Sequence, residues 1–140
     1  MWSEQGDWED GKYVKDPEFP RLAKKAANLL GKLTGTKLSQ ENMVWCFANY
    51  YGGPKDDCPH HRDTRSDVGS VVMVLKSPGE LPFLVSKAGP ADKELDKKWQ
   101  EKLLGSGSMI AMAESGVTHK FPANDRVSRE NPRVTLNFFW

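Results

Sequence analysis

Three side chains that could bind a transition metal stand in two segments of the chain. His61 and Asp63 are separated by one residue, and His119 follows far downstream. Two imidazoles and one carboxylate occupy one face of an octahedral Fe(II) ion and leave three positions open for a cosubstrate and oxygen. Residues two apart on a strand point to the same side, so His61 and Asp63 would face one site and a second strand would supply His119.

The triplet His61-Arg62-Asp63 is a weak signal by itself, because a short polar triplet occurs by chance. A polar loop, with His119 bonded to a backbone carbonyl, explains the same residues. The chain has only three histidines, at 60, 61 and 119, so it could build few other triads of this type.

The segment from Arg133 to Trp140 alternates through its first six residues, which predicts a strand. The two faces are Arg133, Thr135 and Asn137 on one side and Val134, Leu136 and Phe138 on the other. The polar face could simply meet solvent. Alternatively it lines a pocket beside the metal, where the Arg133 guanidinium would hold a carboxylate through paired hydrogen bonds. A keto acid such as 2-oxoglutarate, which chelates iron at one end and ends in a carboxylate, needs such a partner.

Asn49 and Tyr51 add an amide and a phenol, again two apart on a predicted strand. The pair is unremarkable alone, but its place shortly before His61 suggests that it belongs to the same site.

Length and composition predict one ordinary domain spanning residues 1–140. The chain is 38% apolar and 28% charged, with a net charge of +1, as in soluble globular proteins. The basic residues are too scattered to form the stripe typical of strong duplex binders. We expect a soluble monomer.

The two cysteines, Cys46 and Cys58, are too few for a disulfide framework and lack metal-site spacing. We expect reduced thiols in a cytoplasmic protein. The N-terminus lacks the apolar stretch of a signal peptide. The longest apolar run, residues 43–48, is far shorter than a membrane span, so no membrane contact is expected.

Hydrophobic periodicity outlines one helix followed by short strands. Residues 1–19 are predicted to be a polar arm with scattered aromatics, and a helix is predicted from Pro20 to Gly35. A polar loop is expected up to Pro59. The predicted strands are 43–51, 68–76, 81–87, 108–113, 116–121 and 132–140.

Residues 91–104 allow two interpretations: a charged helix with Leu95, Trp99 and Leu103 on one stripe, or an insertion between strands. The fold class is therefore predicted as mainly β, a double-stranded β-helix (jelly roll) core at 43–140 with an N-terminal supporting helix within 1–42.

Taken in order, the motifs resemble the AlkB family of Fe(II)- and 2-oxoglutarate-dependent nucleic-acid dioxygenases. The resemblance covers roughly residues 43–140. It rests on five features: Asn49-Tyr50-Tyr51 with a Gly- and Asp-rich loop, His61-Arg62-Asp63, a Gly-Ser turn before an apolar strand, His119-Lys-Phe-Pro122, and Pro132-Arg133-Val-Thr-Leu.

The resemblance implies iron on His61, Asp63 and His119, the catalytic centre. It implies 2-oxoglutarate on Asn49, Tyr51, Arg133 and Thr135. The implied reaction uses oxygen to demethylate N-alkylated bases in single-stranded DNA or RNA, releasing formaldehyde and succinate. Within a duplex the base would have to be flipped out.

Two departures from the family pattern affect how the cosubstrate and the substrate would be bound. A second arginine usually stands six residues after the first, where this chain has Phe139. The nucleotide-recognition lid is short or partly missing, so base stacking would fall to Trp2, Trp8 or Tyr13, which could equally pack on the core.

Other functions share these residues. Hydroxylases of 5-methylpyrimidines, of the TET and base-J type, also carry His-Arg-Asp, a late histidine, and an arginine followed two residues later by a hydroxyl. A protein or small-molecule hydroxylase on the same scaffold and a binding module with a vestigial iron site are the remaining alternatives.

Overall fold

A computed structural model describes residues 18–63, 66–87, 98–113 and 117–140. Helix α1 spans Glu18–Thr34, and a short 3-10 helix occupies Gln40–Asn42. The strands in the described part of the chain are β1 (Trp45–Tyr51), β2 (Cys58–His61), β3 (Gly69–Lys76), β4 (Leu81–Ser86), β5 (Gln100–Leu104), β6 (Met109–Ala113), β7 (Thr118–Phe121) and β8 (Arg133–Phe139).

The strands form two four-stranded antiparallel sheets. Sheet A has the order β1-β8-β3-β6, and sheet B has the order β2-β7-β4-β5. Most connections pass from one sheet to the other, so sequence neighbours such as β1 and β2 lie in different sheets. This is the jelly-roll arrangement, and the prediction of a mainly β fold with a supporting helix is confirmed.

Helix α1 packs on the outer face of sheet A. Its buried face repeats at three- and four-residue spacing through Ala23, Ala26, Ala27 and Leu30, and the small alanines let the helix lie close to the sheet. Sheet A contributes Cys46, Val71, Met73 and Phe138 to this core, and Trp140 joins them directly after β8. The helix ends before Gly35, whose φ of 69° is the left-handed conformation that glycine adopts at little cost.

A second core fills the space between the sheets. It contains Tyr51, Val72, Val74 and Met112 from sheet A and Leu81, Phe83, Leu104 and Phe121 from sheet B. On β8, Leu136 and Phe138 pack toward the helix. Arg133, Thr135 and Asn137 alternate with them and are buried, so strand geometry points these polar residues between the sheets.

Six predicted strands are present, with ends shifted by one or two residues. The predicted helix is also present, and it begins at Glu18, two residues earlier than expected. Two further strands differ from the prediction. A strand carrying His61 and Asp63 was expected after a loop up to Pro59, whereas β2 begins at Cys58 and ends at His61. Gln100–Leu104 was expected to be helical or an insertion, but it pairs along β4. The helical prediction is therefore wrong for residues 100–104, because an open β4 edge offers ladder hydrogen bonds that outweigh a weak helical pattern.

Some predictions lie outside the described residues. These are the interpretations that concern Trp2, Trp8 and Tyr13 of the N-terminal arm, and Leu95 of the ambiguous segment. Across the residues that the structure does describe, no helix is long and apolar enough to cross a membrane. Cys46 and Cys58 are both free.

Candidate metal and cosubstrate site

The three predicted metal ligands meet between the ends of β2 and β7. His61 is the last residue of β2 and is the register partner of His119 on β7. Asp63 lies two residues beyond the strand end, so the expectation that it shares a strand with His61 is wrong. It nevertheless reaches both imidazoles: Nε2 of His61 is 3.3 Å from Oδ1, and Nε2 of His119 is 3.4 Å from Oδ2.

The separation of these atoms suits a shared ion. One donor atom from each residue lies within 4.8 Å of the other two. Ligands about 2.1 Å from a metal and at right angles to each other are about 3 Å apart. The two distances from an imidazole nitrogen to the carboxylate, 3.3 and 3.4 Å, are slightly longer, and all three ligand atoms lie within 4.8 Å of one another, so the residues would close in around a bound ion.

Backbone carbonyls orient both imidazoles. Nδ1 of His61 is 2.8 Å from the carbonyl oxygen of Pro59, and Nδ1 of His119 is 3.5 Å from that of Val117. In each case the carbonyl belongs to the residue two positions earlier. An Nδ1–H that donates there turns Nε2 toward Asp63 and, once Nε2 is deprotonated, makes it the metal-binding atom, as metal-binding histidines are commonly held.

Ser70 supports the carboxylate. Its hydroxyl donates a 3.0 Å hydrogen bond to Oδ2 of Asp63. A cavity of about 10 Å³ adjoins this contact and is also lined by His119 and Ser66. The Ser66 hydroxyl is buried without a protein partner, and the cavity is about the size of one water molecule.

The pKa values of the two histidines in the triad are shifted in opposite directions. The hydrogen bond to Asp63 is the main cause that raises the pKa of His61 to about 10. Burial lowers the pKa of His119 to about 4. Burial acts to raise the pKa of Asp63, but the hydrogen bond from His61 and the charges of both imidazoles outweigh it, and the pKa is lowered. Near neutral pH the metal-free triad therefore carries one imidazolium, one carboxylate and one neutral imidazole.

Arg133 is a buried cation with unused donors. Only 2% of its surface is exposed, and its Nε and Nη2 atoms have no hydrogen-bond partner. The guanidinium carbon lies 4.7 Å from the ring centroid of Phe121 and 5.6 Å from that of Tyr51. Burial lowers the pKa of Arg133. Two aromatic rings therefore contact the guanidinium, and its Nε and Nη2 donors remain available to an anion.

The other three predicted cosubstrate residues surround this cation. Tyr51 is the register partner of Arg133, and Asn49 is the partner of Thr135 on the same two strands. The Asn49 amide nitrogen is 3.5 Å from the Tyr51 hydroxyl, while its Oδ1 is buried without a partner. The four residues thus form one polar patch on the inner face of sheet A. Asn49 and Tyr51 also line a cleft of about 240 Å³.

A chain of aromatic contacts joins the polar patch to the metal triad. Phe121, which lies against Arg133, packs on Phe83 with ring centroids 4.6 Å apart. Phe83 in turn lies 5.6 Å from the His119 ring. Phe121 and His119 are two residues apart on β7, so both side chains point between the sheets. The seven predicted site residues therefore lie in or beside the space between the two sheets, with 40% of the His61 side chain exposed.

Several residues of this interior were not singled out from the sequence. Ser70 and Phe83 sit inside apolar strand patterns, where they resemble core positions. Phe139 is only 3% exposed and stacks on Phe47, with centroids 5.5 Å apart. Phe139, in contrast to Ser70 and Phe83, was singled out from the sequence as the position of the family's second arginine, and its alternation with Arg133 places both on the inner face of β8.

Comparison with known proteins gives a fold and no family. No family model matches the sequence, and no curated protein matches it. AviO1 from Streptomyces viridochromogenes Tue57 superimposes with a TM-score of 0.64 at 14% identity, covering 88% of this chain and 60% of the AviO1 chain. This similarity shows the fold alone.

Two further solved structures are more distant. A cupin domain from Bordetella pertussis matches with a TM-score of 0.44 at 13% identity, over 70% of this chain and 81% of that domain. A prolyl-4-hydroxylase from Pseudomonas putida matches with a TM-score of 0.47 at 17% identity, over 67% of this chain and 50% of that protein. The resemblance to the AlkB family remains an interpretation of the sequence motifs.

Proposed function

We propose that the protein is an Fe(II)- and 2-oxoglutarate-dependent dioxygenase. One observation carries the proposal: a His-Asp-His cluster and a buried guanidinium with two unpaired nitrogen donors border the same space between the sheets. The His-Asp-His cluster can bind a metal ion and leave coordination positions open for other ligands. The Arg133 guanidinium can bind an anion that enters the space between the sheets, because a buried cation with unused hydrogen-bond donors is destabilising without a partner.

The donor set fits the group. His61, Asp63 and His119 would hold the metal through two imidazole nitrogens and one carboxylate oxygen. Arg133 would bind the distal carboxylate of the keto acid, with Tyr51, Asn49 and Thr135 completing the hydrogen bonds. Bound Fe(II) with 2-oxoglutarate and oxygen supplies oxidation of a substrate C–H bond coupled to decarboxylation of the keto acid to succinate.

The remaining parts of the chain set up this chemistry. Pro59 and Val117 fix the imidazole rings through their carbonyls, and Ser70 fixes the carboxylate. Phe83 and Phe121 exclude water from the space between the triad and Arg133. A dry interior strengthens the attraction between the guanidinium and a carboxylate.

The substrate is proposed from the sequence resemblance. It is an N-methylated base in single-stranded DNA or RNA, whose methyl group is oxidised and leaves as formaldehyde. Hydroxylation of a 5-methylpyrimidine, a peptide or a small molecule would use the same site, and product analysis separates these outcomes.

The test is succinate formation from 2-oxoglutarate with Fe(II) and oxygen, followed by a panel of methylated oligonucleotides and peptides scored for formaldehyde or hydroxylation. His119→Ala should abolish both reactions, whereas His60→Ala, which changes a half-buried neighbour of the triad, should retain them. Wild-type protein that binds neither Fe(II) nor 2-oxoglutarate without oxygen would refute the proposal and favour a binding module.

A further inference from the structure

The inner face of sheet A is polar at one end of β1 and β8 and aromatic at the other. Register pairs of β1 and β8 form four successive layers. From one end these are Tyr51 with Arg133, Asn49 with Thr135, Phe47 with Asn137, and Trp45 with Phe139. The first two layers are polar and include the cation, while the last two are dominated by three aromatic side chains.

The metal triad adjoins both regions. Ser70, which hydrogen-bonds Asp63, is the register partner of Phe139 on the other side of β8. Phe121, two residues from His119, lies against Arg133. The candidate metal position therefore has the guanidinium toward one end of the interior and the aromatic layers toward the other. With the keto acid on Arg133, the aromatic end is the side left for the molecule to be oxidised.

The side chains that the described strands β1, β3 and β8 contribute to that end are uncharged. They are Trp45, Phe47, Ser70, Val72, Asn137 and Phe139. Phe47 and Phe139 stack with centroids 5.5 Å apart and an interplanar angle of 18°. Phe139 is buried, and Phe47 is half-buried. Asn137 donates from its amide nitrogen to the Phe47 carbonyl oxygen at 3.4 Å and to the Thr135 hydroxyl at 3.3 Å, which holds the boundary between the two regions.

We propose that Phe47 and Phe139 form the wall against which the primary substrate is positioned, and that this wall selects an uncharged planar or apolar group for oxidation. This inference rests on the proposed function. An aromatic wall gains from burying apolar or planar surface. A charged group placed there would lose its hydration without gaining a charged partner.

The experiment uses p-cresol as a neutral methyl-arene probe and p-toluenesulfonate as its charged counterpart. The protein is loaded with Mn(II) and saturating 2-oxoglutarate without oxygen, so that Arg133 is occupied and no turnover occurs. Affinities are measured by ligand-observed NMR, and relaxation of the probe methyl protons by Mn(II) reports their proximity to the metal.

The wild type should bind p-cresol more tightly than p-toluenesulfonate, with strong methyl relaxation. Phe47→Ala should weaken p-cresol binding by about fivefold, the size of one aromatic stacking interaction. Phe47→Leu tests the same loss with a smaller change in packing. Tyr50→Ala is the matched control, because it removes an exposed aromatic ring from the opposite face of the same strand.

Equal binding of the two probes, or p-cresol binding that is unchanged in both Phe47 variants, would overturn the inference. Failure to load Mn(II) or 2-oxoglutarate would instead refute the proposed function. In that case the same comparison of affinities in the unloaded protein still decides whether the aromatic wall binds the probe.

Discussion

The Arg133 guanidinium lies 4.7 Å from the ring centroid of Phe121, which stands two residues from His119 on β7. This contact joins β8 of sheet A to β7 of sheet B, the strand that carries the candidate metal ligand His119. An anion bound by Arg133 would therefore lie along the same interior as the His-Asp-His cluster, and the two halves of the proposed site can be tested separately.

Replacing Arg133 with methionine should abolish tight 2-oxoglutarate binding while sparing the metal. The side chain has a similar length but no charge, so we expect an affinity loss of about a hundredfold, the scale for losing one partner of a buried charged pair. Because the Nε and Nη2 donors of the buried guanidinium have no hydrogen-bond partner, its removal should leave the free energy of unfolding unchanged or raise it by about 1 kcal/mol. Calorimetric titration and urea unfolding measure the two effects. A variant with wild-type 2-oxoglutarate affinity would remove Arg133 from the site.

Metal binding should release about one proton per ion near neutral pH. In the metal-free protein the pKa of His61 is about 10 and that of His119 about 4, so one imidazole must be deprotonated before it binds. Apparent Mn(II) affinity should then rise about tenfold per pH unit between pH 6.5 and 8.5. Calorimetry in buffers with different ionisation enthalpies counts the protons directly. Heats that do not depend on the buffer would contradict this assignment.

The stability of the metal-free protein should depend on pH through the same two histidines. His119 has a lowered folded pKa, so its neutral form favours folding as pH rises from about 4 to about 6.5. His61 has a raised folded pKa, so its contribution is complete below about pH 6.5 and is lost as pH approaches 10. These two contributions place their combined maximum near pH 6.5.

Urea unfolding from pH 4 to 9 measures this profile. His61→Gln should flatten the decline in stability above pH 6.5, and His60→Gln, at the half-buried neighbouring position, should leave that decline in place. An unchanged decline in His61→Gln would assign it to another group.

Ser70→Ala should weaken metal binding by about 10- to 100-fold, because outer-sphere partners of metal ligands commonly have effects of this size. The hydroxyl donates to Oδ2 of Asp63 at 3.0 Å, and the substitution frees the carboxylate to turn away. Ser66→Ala is the control, since the Ser66 hydroxyl lines the same small cavity without a protein partner. Mn(II) affinity is read from electron paramagnetic resonance of the free ion. Equal affinities in the two variants would show that Ser70 does not position Asp63.

The amino-acid sequence alone determined the residue types and the periodicities. The alternation after Arg133 predicted a strand whose polar side chains share one face, and the structure buries that face between the sheets. The spacing of His61 and Asp63 indicated a shared site, although Asp63 lies beyond the end of β2. The sequence did not predict the strand at Gln100–Leu104, because this strand forms by pairing with β4, which is distant in sequence.

Only the tertiary structure decided which distant residues meet. Local patterns cannot encode the antiparallel register that sets His61 opposite His119 or Tyr51 opposite Arg133, since register results from packing both faces of each sheet at once. The same packing left the Arg133 donors unpaired and stacked Phe139 on Phe47. A side chain's type is local information, whereas its burial and its partners depend on the whole fold.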